Sequence, residues 1–369
     1  MLKLIEFDYI ENKGLPNEWA IENCVLETIN LFAGKNSTGK SRILKSLHLL
    51  AMILCKNIEV VDLSKTVEGS LVFSETESKD RIELFFSIAK GVVTSESLSI
   101  NDAAGLVRNL SGAVKIIDDR IDIENDDQQV DPTSLAVYEL SFKCQFLGIF
   151  VDWATCFCCG LHSFVIPQAI NSPEAFNVFD VFTKGNSTDP KYKKAVLIDM
   201  AKVGYTISHL ELKDSILQSQ KSSIVDLYGV PVCFFVREGE KDIDTEQPEM
   251  SKGMFRVLVT LIKVNYLLLV CARTPSCFTV DDLGEGLDPK CATRLTKLLF
   301  EKFATSEFQL VIATNNEYVM NAVPIEHWSL MERSPNGVRF KNRHNSQEEI
   351  EVFDFLGLNN FDYFRQSQD

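Results

Sequence analysis

Basic residues are scarce in this chain of 369 residues, in which 37 lysines and arginines face 52 acidic residues. The formal net charge of −15 argues against a protein whose whole surface binds nucleic acid, although a local basic patch remains compatible with it. An anionic ligand would therefore have to be attracted by a local arrangement of groups rather than by the overall field.

Long uninterrupted apolar runs are also absent. The first residues, MLKLIEFDYIENKG, alternate as a strand does and lack a basic segment followed by an apolar one, so we expect no signal peptide and a cytoplasmic location. The most apolar stretch, FLGIFVDWATCFCCGLHSFVIP, is interrupted by Asp152 and His162 and weakened by Gly148 and Gly160. This pattern favours a buried helix over a membrane span.

The cysteine pattern is not that of a disulfide framework. Most of the ten cysteines stand in apolar runs, which is typical of reduced thiols in a protein core. Cys156, Cys158, Cys159 and His162 are close enough in sequence to be soft metal ligands, but their spacing is not the paired C-x-x-C of known zinc sites. Metal binding and a buried hydrophobic helix both remain open for this segment.

What the chain does contain is a pattern of strands and helices. Residues 41–55 show helical spacing, and residues 57–100 alternate with period two and predict antiparallel strands. From residue 225 onward strands and helices alternate, which indicates a mainly parallel sheet flanked by helices. The acidic stretch DDRIDIENDD at 118–127 is typical of a solvated loop, with an acidic contact surface as the alternative.

A complete G-x-x-x-x-G-K-S phosphate loop follows the strand CVLETINLFAG and opens a helix. Its glycines let the backbone wrap phosphates with inward-pointing N–H groups, and the helix N-terminus adds positive partial charge. We expect Lys40 to reach the β- and γ-phosphates and the Ser41 hydroxyl to bind Mg²⁺. The residues expected to hold ATP are Gly34, Lys35, Asn36, Ser37, Thr38, Gly39, Lys40, Ser41 and Arg42.

The strand FTVDD at 278–282 ends in two carboxylates, far downstream of the phosphate loop and directly before LGEGLDP. In this place Asp281 is expected to hold Mg²⁺, directly or through water. Asp282 stands where most such ATPases carry a glutamate that orients the attacking water. The motif predicts the carboxylate half of an ATPase site.

Ser251 and Gly253 open a long apolar helix before the paired carboxylates. A serine hydroxyl, a glycine N–H and a helix N-terminus form an anion site, which in cassette ATPases reaches the γ-phosphate bound to the opposite subunit. The alternative is an ordinary serine cap of the helix. The order phosphate loop, S-x-G, carboxylate pair favours the functional interpretation.

Asn315 follows the apolar strand FQLVIAT, at the position where cassette ATPases usually have a histidine that contacts the γ-phosphate. Asparagine donates a hydrogen bond but cannot take a proton. Together with the shorter carboxylate of Asp282, it predicts slow or regulated turnover. A glutamine usually completes the magnesium shell, for which Gln145 is a candidate and Gln168 an alternative.

The runs INLFAGKNSTGKSRIL, QPEMSKGMFRVLVTL, FTVDDLGEGLDP and LVIATNN resemble those of small bacterial AAA ATPases of the ATP-binding-cassette (ABC) type. That family is related to the heads of overcoming-lysogenization-defect, RecF and chromosome-maintenance proteins. Its usual D-E-P-x-x-G-L-H-P stands here as DDLGEGLDP, whose last three residues would cross a dimer interface. The match is good over 1–100 and 185–345 and looser between them.

The resemblance implies an α/β fold, an ABC-type P-loop ATPase head with a mainly parallel core sheet, an antiparallel β subdomain and a helical insertion. It divides the chain into an N-terminal ATPase part at 1–100, a helical or lid insertion at 101–224, a C-terminal ATPase part at 225–345 and a C-terminal segment at 346–369. The last segment carries too many aromatics for a free tail, so we expect it to pack on the domain or on a partner. Those aromatics are Phe353, Phe355, Phe361, Tyr363 and Phe364.

The resemblance further implies an ATPase that uses ATP and Mg²⁺ and forms a head-to-tail dimer. Stand-alone members often serve bacterial anti-phage defence, as in Septu-like, PARIS-like and retron-associated systems, where they regulate or scaffold a separately encoded effector such as a nuclease. A DNA repair or maintenance head of the RecF type is the main alternative. An ATP-binding scaffold without useful catalysis also remains, whereas the missing L-S-G-G-Q signature disfavours a transporter subunit.

Overall fold

The computed structural model describes residues 2–109, 112–123, 127–163, 173–214, 232–239, 243–272, 276–346 and 359–366. The strands are β1 (Leu2–Glu11), β2 (Trp19–Val25), β3 (Ile29–Ala33), β4 (Val67–Glu75), β5 (Arg81–Ala89), β6 (Val92–Ile100), β7 (Ala103–Arg108), β8 (Ala113–Ile116), β9 (Asp127–Gln129), β10 (Leu161–Ser163), β11 (Ile207–Asp214), β12 (Val232–Glu238), β13 (Thr245–Glu246), β14 (Cys277–Asp281), β15 (Gln309–Thr314), β16 (Trp328–Ser334) and β17 (Gly337–Asn342). The helices are α1 (Lys40–Leu54), α2 (Ala136–Ser141), α3 (Gln145–Gly160), α4 (Pro173–Thr188), α5 (Tyr192–Val203), α6 (Lys252–Leu269), α7 (Pro289–Ala304), α8 (Glu317–Met320) and α9 (Asn360–Gln366).

Most of the described strands join one large sheet in the order β10-β14-β15-β3-β16-β17-β2-β1-β4-β5-β6-β7-β8-β9. Neighbours are parallel from β10 to β16 and antiparallel from β2 to β9. The β16–β17 hairpin joins the two parts, because β16 pairs with β3 and β17 pairs with β2. A second sheet has the order β11-β12-β13.

The parallel part of the large sheet is covered on both faces. All six residues of β15, QLVIAT, are buried. Leu310 and Ile312 point into one core and Val311 and Ala313 into the other, as the two-residue alternation of a strand requires. Helices α5, α6 and α7 pack in the first core, and α1 and most of α3 pack in the second. Apolar strands without polar alternation are typical of such a doubly covered parallel sheet.

The segment expected to be a buried hydrophobic helix forms α3, in which Phe150, Trp153 and Phe157 are buried. Among the described residues no helix has both the length and the apolar character needed to cross a membrane. Cys156 is buried there, whereas the side chains of Cys158, Cys159 and His162 lie outside the described residues. The proposed metal ligands therefore stay a prediction.

Three strands, β7 to β9, extend the antiparallel part of the sheet beyond residue 100, where the sequence placed the start of a helical insertion. Helices begin only at α2. A buried ion pair fixes this junction: the side chains of Arg108 on β7 and Glu96 on β6 are fully buried with their charged atoms 3.5 Å apart. Glu96 accepts the backbone N–H groups of Ala136 (2.6 Å) and Val137 (2.9 Å) at the start of α2. The domain boundaries themselves stay predictions.

The C-terminal helix α9 packs on the domain. Phe364 is buried in the core with α6 and α7, and Phe361 contacts the same core while partly exposed. The Asn360 side chain donates to the Val323 carbonyl at 2.7 Å. Packing on the domain is thus confirmed for these two phenylalanines, whereas Phe353 and Phe355 and the side chain of Tyr363 lie outside the described residues.

Candidate nucleotide-binding site

The phosphate loop lies between a buried strand and a helix. β3 ends at Ala33 and α1 begins at Lys40. Ser37 and Gly39 have positive φ angles of 67° and 105°, so successive backbone N–H groups turn toward the inside of the loop. Gly39 is required there, because a Cβ would also lie 3.1 Å from Val338 on β17. This geometry is that of an anion-binding loop.

The Lys40 side chain crosses the loop and is buried. Its Nζ donates to the carbonyl oxygens of Gly34 (2.6 Å) and Lys35 (3.0 Å). Burial lowers the pKa of Lys40, while the charges of Asp282 and Asp281 act in the opposite direction. The ammonium is therefore held where a phosphate chain would lie in the loop, with both carboxylates close enough to influence it.

Ser41 and Asp281 meet at the edge of the loop. The Ser41 hydroxyl donates to Asp281 Oδ1 at 3.0 Å, and Asp281 ends the buried strand β14 with 8% of its surface exposed. Burial raises the pKa of Asp281, the Ser41 hydrogen bond lowers it, and the neighbouring Asp282 raises it. A hydroxyl and a carboxylate oxygen this close are the hard donors that Mg²⁺ prefers, so the two residues fit the expected ion.

Asp282 begins the loop that follows β14. Its φ of 54° lies in the left-handed region, which aspartate tolerates better than most residues. Its backbone carbonyl accepts the N–H of Glu285 at 3.1 Å and so closes the turn. The residue also lines the cleft beside the phosphate loop. With this left-handed backbone, Asp282 lines the cleft, next to the buried Asp281.

Asn315 reaches the phosphate loop from the end of β15. Its Nδ2 donates to Asn36 Oδ1 at 2.7 Å. Nearby, the Thr314 hydroxyl donates to the Leu283 carbonyl at 2.8 Å, and the Asn316 Nδ2 lies 3.4 Å from the Gly284 carbonyl. The segment after β15 therefore contacts both the phosphate loop and the loop after β14.

Ser251 caps α6, because its side chain accepts the backbone N–H of Met254 at 3.1 Å. Gly253 packs against the loop after β14: a Cβ there would lie 3.2 Å from Leu287 and 3.3 Å from the Gly286 carbonyl. Neither Ser251 nor Gly253 is among the described residues that line the cleft beside Lys40. The cap interpretation is confirmed, and a γ-phosphate contact across a dimer stays a prediction.

Arg256, one turn into α6, connects that helix to the loop after β14. Its guanidinium donates to the Glu285 carbonyl at 2.5 Å. It also contacts Gly286, whose φ of 71° is left-handed, so a side chain at Gly286 would collide with the guanidinium. The start of α6 and the loop after the paired carboxylates are thus in direct contact.

The cleft has a volume of about 830 Å³ and is open on one side. One wall is the turn before β2 and the other is the β16–β17 hairpin, which sequence reasoning missed. The wall residues are Asn17, Glu18, Trp19, Arg333, Ser334, Pro335 and Gly337. The P-N-G turn in RSPNGV marks a hairpin in the sequence, but only the pairing of β16 with β3 brings it to the phosphate loop.

Arg42 and Trp19 form a layer at the mouth of the phosphate loop. The Arg42 guanidinium lies 4.1 Å from the centroid of the Trp19 ring. Glu11 pairs with both Arg42 and Lys65 and accepts the Tyr9 hydroxyl at 2.8 Å. Burial raises the pKa of Glu11, but the hydrogen bonds from Lys65, Arg42 and Tyr9 outweigh it and hold the pKa below its ordinary value. Glu11 therefore stays ionised and fixes Arg42.

The structure does not bring the glutamine candidate to the site. Gln145 is exposed at the first residue of α3 and, within the described part of the chain, makes no hydrogen bond to the phosphate loop or to Asp281. Gln168 lies outside the described residues. The strand pairing favours Gln168 as the glutamine candidate. β10 pairs in parallel with β14 and places Ser163 opposite Asp281, and Gln168 follows Ser163 by five residues in the sequence.

The fold is that of an ABC-type P-loop ATPase head. The chain is similar to a solved SMC head bound to the C-winged helix domain of ScpA, with a TM-score of 0.52 and 11% identity over 92% of this chain and 96% of that one. The SMC head domain from Thermotoga maritima also matches, with a TM-score of 0.46 and 11% identity over 92% of this chain and 99% of that one. An Smc head derived from Pyrococcus furiosus, bound to the C-terminal domain of ScpA, matches with a TM-score of 0.49 and 10% identity over 96% of this chain and 100% of that one.

No protein-family model and no curated protein sequence matches the chain. At 11% identity, the likeness to the ScpA-bound SMC head shows the fold alone. The expected α/β ABC-type head, with its mainly parallel core, antiparallel region and helices, is thereby confirmed.

Proposed function

We propose that this chain is an ATPase head that binds ATP and Mg²⁺, dimerises around the nucleotide and hydrolyses it slowly. The observation that carries the proposal is the convergence of Lys40, Ser41, Asp281 and Asp282 at one phosphate loop. Lys40 binds the β- and γ-phosphates, and Ser41 and Asp281 hold the magnesium ion. Asp282 orients the attacking water, in the role that glutamate has in related enzymes.

Slow turnover follows from two side chains. The carboxylate of Asp282 is one methylene shorter than that of glutamate, so it reaches less far toward an attacking water. Asn315 donates a hydrogen bond to Asn36 on the phosphate loop and would sense the γ-phosphate without exchanging a proton. A head of this kind suits a long-lived ATP-bound state better than rapid cycling.

The dimer is proposed because one chain presents two separate halves of a site. The phosphate loop and Asp282 line one cleft, Asp281 is hydrogen-bonded to Ser41 at its edge, and Ser251 is exposed at the start of α6 outside it. In a two-fold dimer, the Ser251 hydroxyl and the Gly253 N–H of one copy would close over the γ-phosphate held by the other. ATP then stabilises the dimer, because the closed pair binds the γ-phosphate better than separate chains do.

The test is sedimentation with a slowly hydrolysed ATP analogue. Ser251→Arg would fill the opposing site and cost about 1 kcal/mol of cap stability, which the fold tolerates. We expect it to bind nucleotide as an isolated chain but to lose nucleotide-dependent dimerisation and hydrolysis. Ser187→Arg, at the exposed end of α4, is the matched control and should dimerise normally. Normal dimerisation of Ser251→Arg would rule out the composite site.

The biological role proposed here rests on the sequence resemblance to stand-alone defence ATPases. In that role the ATP-bound dimer regulates or scaffolds a separately encoded effector, such as a nuclease, in bacterial anti-phage defence. The runner-up is a DNA repair or maintenance head. Duplex binding whose affinity falls steeply with salt would favour the runner-up, whereas co-purification with the product of a neighbouring gene would favour the first.

A further inference from the structure

One wall of the cleft has a construction that phosphate binding does not explain. Trp19 is only 8% exposed, and its ring edge lies close to Gly39 at the start of α1. The Arg42 guanidinium covers the ring at 4.1 Å, a distance typical of a cation–π contact. Both residues line the cleft, but the guanidinium is the more exposed of the two.

The orientation of Arg42 is fixed from behind. Glu11, with 8% of its side chain exposed, pairs with Arg42 and Lys65, so the positive charge of Arg42 is largely balanced inside the protein. The Arg42 side chain is nevertheless 47% exposed, and it lines the cleft. With one face on Trp19 and N–H donors engaged by Glu11, Arg42 offers the cleft a flat cationic face.

We propose that this face of Arg42 is the platform on which the base of the bound nucleotide stacks, and that the preferred ligand is a purine nucleoside triphosphate. Trp19 supports the platform from below, and Glu11 is the positioning residue that holds it. The inference rests on the proposed function and adds the base-binding part of the same site.

Position and chemistry both support this assignment. Arg42 directly follows Ser41, so it stands where a triphosphate that enters the phosphate loop continues toward its sugar and base. A planar, weakly hydrated guanidinium stacks on aromatic faces, whereas an ammonium does not. Purines offer a larger π-face than pyrimidines, so a stacking platform prefers them.

The competing role for Arg42 is a direct contact to phosphate. In that role its charge and donors would matter and its planarity would not. The pairing with Glu11 argues against it, because the carboxylate balances the charge of Arg42 and engages its Nη2.

The experiment compares ATP with inorganic tripolyphosphate, which has the phosphate chain but no base. Calorimetric titration in Mg²⁺ would measure both ligands against the parent, Arg42→Lys and Glu11→Gln. We expect Arg42→Lys to weaken ATP binding about tenfold and to leave tripolyphosphate within roughly twofold, because only the stacking face is lost. Glu11→Gln should produce a smaller loss, again confined to ATP. Arg339→Lys, an exposed arginine on β17 that is not among the residues lining the cleft, is the matched control.

The possible outcomes separate this inference from the proposed function. Equal losses for ATP and tripolyphosphate in Arg42→Lys would assign Arg42 to phosphate and overturn the platform. A parent protein that binds neither ligand would instead overturn the proposed function. The affinities of the parent protein for ATP and for UTP provide a test that needs no variant and holds even if Arg42→Lys fails to fold. Equal affinity for the two nucleotides would contradict a purine platform.

Discussion

Replacing Lys40 by alanine tests the site most directly. In the structure Nζ makes two hydrogen bonds, to the carbonyl oxygens of Gly34 and Lys35, at 2.6 and 3.0 Å. On nucleotide binding we expect these to be exchanged for hydrogen bonds to phosphate oxygens. Lys40→Ala removes that exchange while leaving the backbone N–H groups of the loop in place.

The magnitude follows from the hydrogen bonds to phosphate that alanine cannot make. Two charge-assisted hydrogen bonds, at about 1.5–3 kcal/mol each, amount to roughly 3–6 kcal/mol, or about a 10²- to 10⁴-fold loss of ATP affinity. Stability without nucleotide should change little, by about 1 kcal/mol, because the removal of two hydrogen bonds is offset by relief from burying an ammonium. Burial lowers the pKa of Lys40, which is the sign of that cost.

The assay is equilibrium binding of Mg²⁺–ATP combined with urea unfolding of the nucleotide-free protein. Lys45→Ala is the control, because Lys45 lines the same cleft but is exposed one turn further along α1. We expect its effect to be roughly threefold at most, since exposed charges are screened by salt. Unchanged affinity in Lys40→Ala would refute the assignment, and an equal loss in Lys45→Ala would show that general positive charge, rather than the placement of Lys40, attracts the ligand.

Two further predictions concern turnover and packing. Asp282→Glu should raise the hydrolysis rate measured by phosphate release, because the longer side chain reaches the attacking water. Asp282→Asn should lower that rate about 10²-fold. A rate that neither substitution changes would contradict the role of Asp282. Phe364→Ala should lower the free energy of unfolding in urea by about 3 kcal/mol, the low end for a buried phenylalanine, because the ring is 8% exposed in the core beside α6 and α7. Stability equal to that of the parent would show that α9 docks only loosely.

The parts of the site that depend on local backbone could be predicted from the sequence. A phosphate loop is a strand, a glycine-rich turn and a helix in direct succession, so the roles expected for Lys40 and Ser41 needed no distant contact. Asp281 and Asp282 were similarly marked by the end of an apolar strand. The meeting of Ser41 with Asp281 follows once both strands lie in one parallel sheet, because their carboxyl ends share an edge.

The far walls of the cleft could not be predicted in this way. Arg333 lies almost three hundred positions from the phosphate loop, and only the pairing of Trp328 with Leu31 brings its hairpin there. The ion pair between buried Glu11 and half-exposed Arg42 depends on the pairing of β1 with β2, which sets Glu11 opposite Trp19. The helical or lid insertion after residue 100 was implied by the family resemblance, which did not indicate the short strands β7 to β9 at its start.

The hydrogen bond from Arg256 to Glu285 has a consequence for how two sites in a dimer would respond to ATP. In the proposed dimer, Asp282 of one chain serves its own nucleotide, whereas Ser251 of the same chain serves the nucleotide of its partner. Arg256 hydrogen-bonds the loop after Asp282 to the helix that Ser251 caps, so a shift of one strains a direct contact with the other. In that dimer, filling one interface would change the affinity of the second, and ATP binding would depart from that of two independent sites.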